Sequence, residues 1–439
     1  MNNNNVIFRV FPGGTLHGVA RVPGDKSISH RSIMLGSIAE GVTHITGFLE
    51  AEDCLSTMNA FRAMGVQIEG PEQGVVTVHG VGMHGLKAPN EPLYLGNSGT
   101  SMRLLSGLLA GQSFDAVLTG DSSLSRRPMK RVTDPLRQMG AVIKTSPNGT
   151  APIRIRGSGP LEAIHYDMPI ASAQVKSCLL LAGLYADGET GVTEPAPTRD
   201  HTERMLAGFG YPVKQVGNRI TVCPGGKLVA ADIDVPSDIS SAAFFMVGAA
   251  IAENADLTLL HVGVNPTRTG VIDILRLMGA NIEILNEQMV GGEPVADLRI
   301  RSSRLKGVQI PENLVPLAID EFPVLFVAAA CAVGETRLSG AAELRVKESD
   351  RIQVMADGLQ SLGVHAIATP DGMVIQPRPI KGGKVDSHGD HRIAMSFAIA
   401  SLRASGPIYI NDCANVNTSF PTFVNLAKGL GLNIMVCTE

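Results

Sequence analysis

One pattern of apolar and polar positions returns six times along the chain. An amphipathic stretch ends in an apolar residue plus glycine, and a short apolar, strand-like run follows. It occurs at Met64-Gly65-Val66, Met139-Gly140-Ala141, Phe209-Gly210-Tyr211, Met278-Gly279-Ala280, Leu362-Gly363-Val364 and Leu430-Gly431-Leu432. The glycines lie 75, 70, 69, 84 and 68 residues apart. Glycine just past a helix supplies a left-handed cap, and the β-rich run after it predicts a strand. Each repeat has a second, small and apolar helix that begins straight after a polar loop. The loops are Gly-Asp-Lys-Ser at 24–27, Gly-Asn-Ser-Gly-Thr at 96–100 and Ala-Ser-Ala-Gln at 171–174, then Ser-Asp-Ile-Ser at 237–240, Ile-Asp-Glu-Phe at 319–322 and His-Gly-Asp-His at 388–391. The predicted unit is β–α–β–α–β–β, an α/β class, and three units make a domain of about 215 residues.

No Pro/Ser-rich linker separates the halves. Pro23-Gly24 and Pro236-Ser237-Asp238, each just ahead of a helix start, are the boundary candidates. They predict one domain over 24–238 and a second from 1–23 plus 239–439, with a hinge near 23 and 238. Ser, Thr, Asp and Asn are preferred N-caps, so capping explains much of the polarity at the six starts. It does not explain the Lys, Arg, Gln and His beside them. Helix N-termini offer free N–H groups and partial positive charge, so six gathered at one cleft would bind anions.

Composition narrows the function. The 439 residues fit two or three domains. With 44% hydrophobic and 18% charged residues the chain can build large cores, which argues against a disordered or coiled-coil protein. A formal net charge of −4 and 4% aromatics with no Trp argue against a nucleic-acid or anionic-membrane partner. Glycine numbers 48, about 11% against a usual ~7%, so many tight turns or close approaches are expected. The six cysteines (54, 178, 223, 331, 413 and 437) form no C-x-x-C and read as reduced, structural thiols. Met1 to Val10 lacks the basic and apolar regions of a signal peptide. The most apolar segments, such as Phe322 to Val333, are shorter than the ~18–20 residues of a membrane span. A cytoplasmic protein with no membrane partner is expected.

Six clusters carry candidate chemistry. Gly24-Asp25-Lys26-Ser27-Ile28-Ser29-His30-Arg31 ends like a phosphate-binding P-loop, but the order is G-D-K-S and Val19 stands where the first Gly is required. Ser27 and Arg31 are one helical turn apart, with Lys26 at the entrance. Gly96 and Gly99 flank Asn97-Ser98 before a helix, which lets backbone N–H groups approach an anion closely, although an ordinary cap reads the same. Ser125-Arg126-Arg127-Pro128-Met129-Lys130-Arg131 places four cations around a helix start with Pro128 at its first position, against the dipole by a few tenths of a kcal/mol each. In Arg345-Val346-Lys347-Glu348-Ser349-Asp350-Arg351, helical spacing would set Lys347 and Arg351 at i,i+4, which asks for something negative between them. Glu348 or a substrate anion could serve. Asp320-Glu321 precedes an apolar helix: one carboxylate could cap it, or be desolvated into a general-base range. His388, Asp390 and His391 suit a metal, but no H-E-x-x-H or Cys/His framework accompanies them, and His391-Arg392 at a helix start fits another anion contact.

Taken together these clusters closely resemble the 5-enolpyruvylshikimate-3-phosphate synthase family, from Pro23 to Phe423 and in family order. The most specific pieces are Gly-Asp-Lys-Ser-x-Ser-x-Arg, Leu-Gly-Asn-Ser-Gly-Thr-x-x-Arg, Arg-Val-Lys-Glu-Ser-Asp-Arg and Asp-His-Arg-x-Ala-Met. The resemblance implies the two-domain enolpyruvyl transferase fold, an inside-out α/β barrel of three β/α units per domain, closing over substrate like jaws. It implies that phosphoenolpyruvate adds to the 5-hydroxyl of shikimate 3-phosphate and that phosphate then leaves a tetrahedral intermediate. Both substrates are phosphorylated carboxylates, which suits Arg clamps.

By family position, Lys26, Ser27, Arg31, Ser172, Gln174, Arg199, Asp320 and Lys347 contact shikimate 3-phosphate. Lys26, Gly99, Arg127, Gln174, Arg351 and Arg392 contact phosphoenolpyruvate. Asp320 takes the 5-hydroxyl proton, and Glu348 with Lys26 shuttles protons at the enol carbons. The resemblance implies no metal or organic cofactor and a monomer. Two departures stand out. Many members carry Lys just before the late Phe-Pro, where this chain has Thr418-Ser419-Phe420-Pro421. Met168–Gln174 and Thr198–Glu203 are similar to the class II branch, whose glyphosate-tolerant members have Ala at the place of Gly99, so Gly99 implies sensitivity. The rival is the related transferase acting on UDP-N-acetylglucosamine, which uses a loop Cys near the Arg-Pro motif; Thr119 to Pro128 contains none. A repeat scaffold binding nucleic acid is the other class, disfavoured by charge and aromatics.

Overall fold

The computed structural model describes residues 6–157 and 159–438; Met1–Asn5, half of the stretch read for a signal peptide, lie outside the described residues. The helices among them are α1 (Lys26–Ile38), α2 (Glu52–Ala63), α3 (Gly99–Ala110), α4 (Lys130–Gln138), α5 (Ala173–Gly183), α6 (His201–Gly208), α7 (Ile239–Ile251), α8 (Gly270–Leu277), α9 (Phe322–Ala330), α10 (Arg351–Ser361), α11 (His391–Ala400) and α12 (Phe423–Leu430). The even-numbered helices are the six amphipathic stretches. Each is stopped by its glycine, and all six glycines have positive φ, from 78° at Gly210 to 109° at Gly431. The N–H after each glycine donates to the carbonyl five residues back, from Val66 to Phe61 and from Leu432 to Ala427 for example. That is the Schellman closure, and its flanking pair is apolar every time. A Cβ at these positions would meet the left-handed penalty, so glycine is needed on backbone grounds.

The odd-numbered helices are the small apolar ones. Every residue of α7 and of α9 is buried. A helix apolar all round has to be enclosed, and α7, α9 and α11 pack on one another pairwise. Close approach uses more of the glycine. A Cβ on Gly107 would sit 2.0 Å from the Cys178 carbonyl oxygen, so α3 and α5 touch backbone to backbone there. Phe245, fully buried against Phe420 and Phe423, is the kind of side chain whose truncation costs about 3–5 kcal/mol.

The sheets repeat as well. In the second unit of the chain's order, strand Leu93–Tyr94 runs parallel to Ala116–Thr119 across α3, then Ile153–Arg156 and Val142–Lys144 complete an antiparallel edge. The same order recurs five times, with the Lys306 and Gln309 bridges standing in for a first strand beside Thr336–Leu338. Strands borrowed from outside the local repeat complete three of the sheets. Ile233–Asp234 pairs in parallel with Glu40–Thr46; His17–Ala20 pairs in parallel with Asp256–Gly263; Val6–Val10 lies between Ile408–Asn411 and Ile434–Thr438. Of Glu40–Thr46 only Thr43 and Ile45 are buried, so this strand turns one face to solvent.

The chain divides into two compact units. The first holds Gly24–Val235 and Val290–Gly292; the second holds Met1–Pro23, Pro236–Met289 and Glu293–Glu439. Pro236, Ser237 and Asp238 thus belong to the second unit, where Ser237 N–H donates to His261 O and Asp238 N–H to Pro23 O. Among the described residues no helix is long and apolar enough to cross a membrane.

Candidate active site

In the first unit, three helix starts carry the predicted residues. Asp25 caps α1 by accepting from Ile28 N–H at 2.9 Å, Ser98 caps α3 from Ser101 N–H at 3.1 Å, and Ser172 caps α5 from Val175 N–H at 3.4 Å. Capping takes one donor at each start and leaves the other first-turn N–H groups and the dipole for an anion. Lys26, the first residue of α1, pairs with Asp53 of α2 at 3.0 Å. Arg31 is buried. Its Nη1 donates to Ser27 O at 2.9 Å, Nε to Thr202 Oγ1 at 2.7 Å and Nη2 to Ser177 Oγ at 2.8 Å. These bonds tie α1 to α5 and α6 and hold the Lys26–Ser27–Arg31 face rigid.

Around α3, Gln174 accepts from Arg103 Nη1 at 2.7 Å and donates to Thr100 Oγ1 at 3.0 Å. Arg127 Nη2 donates to Asn97 Oδ1 at 2.5 Å, and Asn97 Nδ2 to Asp121 Oδ2 at 2.7 Å. A Cβ on Gly99 would lie 2.8 Å from Arg103 Nη1 and 3.0 Å from Arg127 Nη1, so both guanidinium groups crowd this glycine. Helix α4 starts at Lys130, two residues later than expected. Pro128 precedes it and Arg127 is buried, while Arg126 and Lys130 are exposed, so the four cations do not share one dipole. Arg199 is half-buried in the loop just ahead of α6. Under these starts lies His30, whose Nδ1 is 2.7 Å from Thr57 Oγ1. Burial, then the charges of Lys26 and Arg31, pushes its pKa well below the usual imidazole range.

In the second unit the predicted residues form one cluster around Asp320. Its Oδ1 lies 3.5 Å from Lys347 Nζ and 3.2 Å from Arg351 Nη1, and its backbone carbonyl accepts from Arg392 Nη1 at 3.0 Å. Glu348 Oε2 is 2.6 Å from Arg351 Nη2. Residues 347–350 are not helical, because Asp350 is the N-cap of α10. Lys347 and Arg351 are therefore not stacked at i,i+4, and Asp320 lies between them. Asp320 faces cations instead of the apolar wall expected of it. Neither Asp320 nor Glu321 makes a side-chain cap: Glu321 holds the N-cap position of α9 without one, and accepts from Ser240 Oγ instead. Arg351, 1% exposed, is anchored by the fully buried Asp390 at 2.8 Å. Burial opposes its charge, and Asp390, Glu348 and Asp320 together outweigh burial and raise its pKa. Thr418 is buried, with its hydroxyl donating to Asn415 O at 2.7 Å.

The sequence pointed to the cations and missed their partners. Asp390 sits inside a quoted motif and could have been found as the cap of α11, which accepts from Arg392 N–H at 2.9 Å. Asp53, Ser177 and Thr202 gave no local signal; Thr202 is 171 positions from the arginine it holds. Among the described residues no three His, Cys, Asp or Glu side chains gather as a metal-ligand set. Among the described residues no cysteine forms a disulfide, and burial pushes the thiols of Cys331 and Cys413 up to about 12.

The family model for EPSP synthase (3-phosphoshikimate 1-carboxyvinyltransferase) matches residues 10–426. A 3-phosphoshikimate 1-carboxyvinyltransferase of Methylococcus capsulatus is 70% identical over 436 residues, 99% of this chain and 100% of the relative. One of Alkalilimnicola ehrlichii is 70% identical over 97% of this chain and 96% of its own. Among solved structures, the EPSP synthase of Acinetobacter baumannii superposes with a TM-score of 0.89 at 62% identity, covering 98% of this chain and 100% of that one. The enolpyruvyl transferase NikO of Streptomyces tendae, at 16% identity and a TM-score of 0.79 over 99% of this chain and 100% of its own, shares the fold. A match across nearly the whole length, with the six-repeat architecture intact, means that the chain belongs to the EPSP synthase family.

Proposed function

We propose that the chain transfers the enolpyruvyl group of phosphoenolpyruvate to the 5-hydroxyl of shikimate 3-phosphate and releases phosphate. The single observation that carries the site assignment is the gathering of Lys347, Glu348, Arg351 and Arg392 about Asp320. Five residues from three segments, chosen as acid–base or anion contacts, share one cluster. Asp320 accepts the 5-hydroxyl proton as its oxygen bonds to the central enol carbon, and Glu348 with Lys26 delivers a proton to the terminal carbon. Loss of that proton then expels phosphate and restores the double bond. Lys26, Ser27, Arg31, Ser172, Gln174, Arg199, Asp320 and Lys347 hold shikimate 3-phosphate. Lys26, Gly99, Arg127, Gln174, Arg351 and Arg392 hold phosphoenolpyruvate.

The enzyme acts as a cytoplasmic monomer, with a hinge near 23 and 238, and binds glyphosate in the phosphoenolpyruvate site because Gly99 leaves room beside Arg127. The test is phosphate release from phosphoenolpyruvate with shikimate 3-phosphate or UDP-N-acetylglucosamine as acceptor. Release with shikimate 3-phosphate alone is expected; release with only the UDP-sugar would overturn the assignment.

A further inference from the structure

A buried ionic trio lies outside every contact assigned above. Lys176 of α5, 1% exposed, places Nζ 3.0 Å from Glu194 Oε1 and 2.6 Å from Glu203 Oε1 of α6. Its Nζ also donates to the Thr198 carbonyl at 3.5 Å, and the Thr198 hydroxyl donates to Glu194 Oε1. Glu194 itself is pinned: its N–H donates to Asn218 O and its carbonyl accepts from Asn218 Nδ2. Loop 194–198, which leads directly into Arg199, is thus held at both ends by one ammonium.

The neighbouring residues make a second tie. Ser177 and Thr202, adjacent in sequence to Lys176 and Glu203, are the hydroxyls that hold Arg31, and Thr202 Oγ1 donates to Ser177 Oγ at 2.7 Å. The 176–203 and 177–202 ties run side by side between α5 and α6, so the first cannot relax without moving the second. We propose that Lys176, clamped by Glu194 and Glu203, is a positioning residue that fixes Arg199 and Arg31 for shikimate 3-phosphate without touching it. This rests on the substrate assignment above.

Stability alone is a poor reason for the trio. One ammonium faces two carboxylates, Glu203 Oε2 has no hydrogen-bond partner among the described residues, and burial pushes the Glu203 carboxyl up against the opposing pull of Lys176. Apolar side chains of the same volume fill such space at no loss of stability, whereas charged groups fix direction and distance.

The test is steady-state kinetics on the full-length enzyme, varying each substrate in turn. Lys176→Met should raise KM for shikimate 3-phosphate about tenfold or more, because small misplacement of a clamp costs that much. KM for phosphoenolpyruvate should stay within about twofold and kcat within about threefold, and Lys176→Arg should recover most of the loss. If Lys176→Met does not fold, Thr198→Val removes only the hydroxyl on Glu194 and should still raise the same KM, by about threefold. A folded variant with unchanged KM for shikimate 3-phosphate, or one whose two KM values rise equally, overturns the proposal. A wild-type enzyme inactive with shikimate 3-phosphate instead overturns the substrate assignment.

Discussion

Asp390→Asn tests whether the second-unit cluster is held from beneath. Asp390 is fully buried and accepts four bonds: Arg351 Nε at 2.8 Å, Arg351 Nη2 at 3.3 Å, Ser349 Oγ at 3.0 Å and Arg392 N–H at 2.9 Å. Asparagine keeps the volume and one acceptor, which can still cap α11. Its amide NH2 would then face Arg351 Nε, so a donor meets a donor and a buried guanidinium loses its fully buried anion. Breaking one side of a buried pair costs about 3–5 kcal/mol. The lower end applies, about 3 kcal/mol, because Glu348 and Asp320 remain on Arg351. Glu348 is 23% exposed, so Glu348→Gln should cost about 1 kcal/mol or less.

The chain has no Trp, so urea unfolding is best followed by circular dichroism. With a slope of roughly 3 kcal/mol per molar for a unit of this size, Asp390→Asn should lower the second unit's midpoint by about 1 M. Glu348→Gln should move it by about 0.3 M or less. Equal shifts for the two variants would refute the reasoning, since burial would then not be what distinguishes them.

Three further outcomes follow from the same geometry. Asp320→Asn should leave both KM values near wild type and lower kcat about a hundredfold or more; near-normal turnover would remove Asp320 as the base. Gly99→Ala should push Arg103 and Arg127 aside, raising KM for phosphoenolpyruvate and weakening glyphosate inhibition in a normally folded protein. Unchanged glyphosate competition would show that Gly99 does not border that site. His30 stays neutral when folded but binds a proton below about pH 6.5 when unfolded, so it contributes stability above that pH that is lost as pH falls, up to about 1.4 kcal/mol at pH 5.5. Subtracting the stability–pH curve of His30→Gln should isolate that loss from the opposite slope of Glu203, and a flat difference would contradict it.

The sequence revealed what is locally encoded. Six cap glycines and six apolar helices could be read because each is a signal within a few residues, although α4 and α10 start later than the pattern indicated. What needed distant chain was hidden. Nothing in His17–Ala20 or Ile233–Asp234 announces which sheet each strand will complete. Local periodicity misled at Lys347–Arg351, where a capping Asp350 delays the helix and turns an expected repulsion into shared hold on Asp320. The cations of the site were legible as motifs, but the groups that aim them, Asp53, Ser177, Thr202 and Asp390, depend on tertiary contact or complete burial.

The small net charge has a local counterpart with a consequence for chemistry. Arg351 has five N–H donors. Nε serves Asp390, one Nη1 hydrogen serves Asp320, and both Nη2 hydrogens are taken by Glu348 and Asp390. One donor at most remains, so a substrate carboxylate cannot be gripped at two points unless Asp320 or Glu348 gives way. Asp390 is too deeply buried to yield, which leaves the two carboxylates assigned to proton transfer as the ones displaced. Substrate binding would then release those groups as bases at the moment they are needed. An amide at position 320 competes less for Arg351 than a carboxylate does, which is why Asp320→Asn is expected to spare binding while it removes the base.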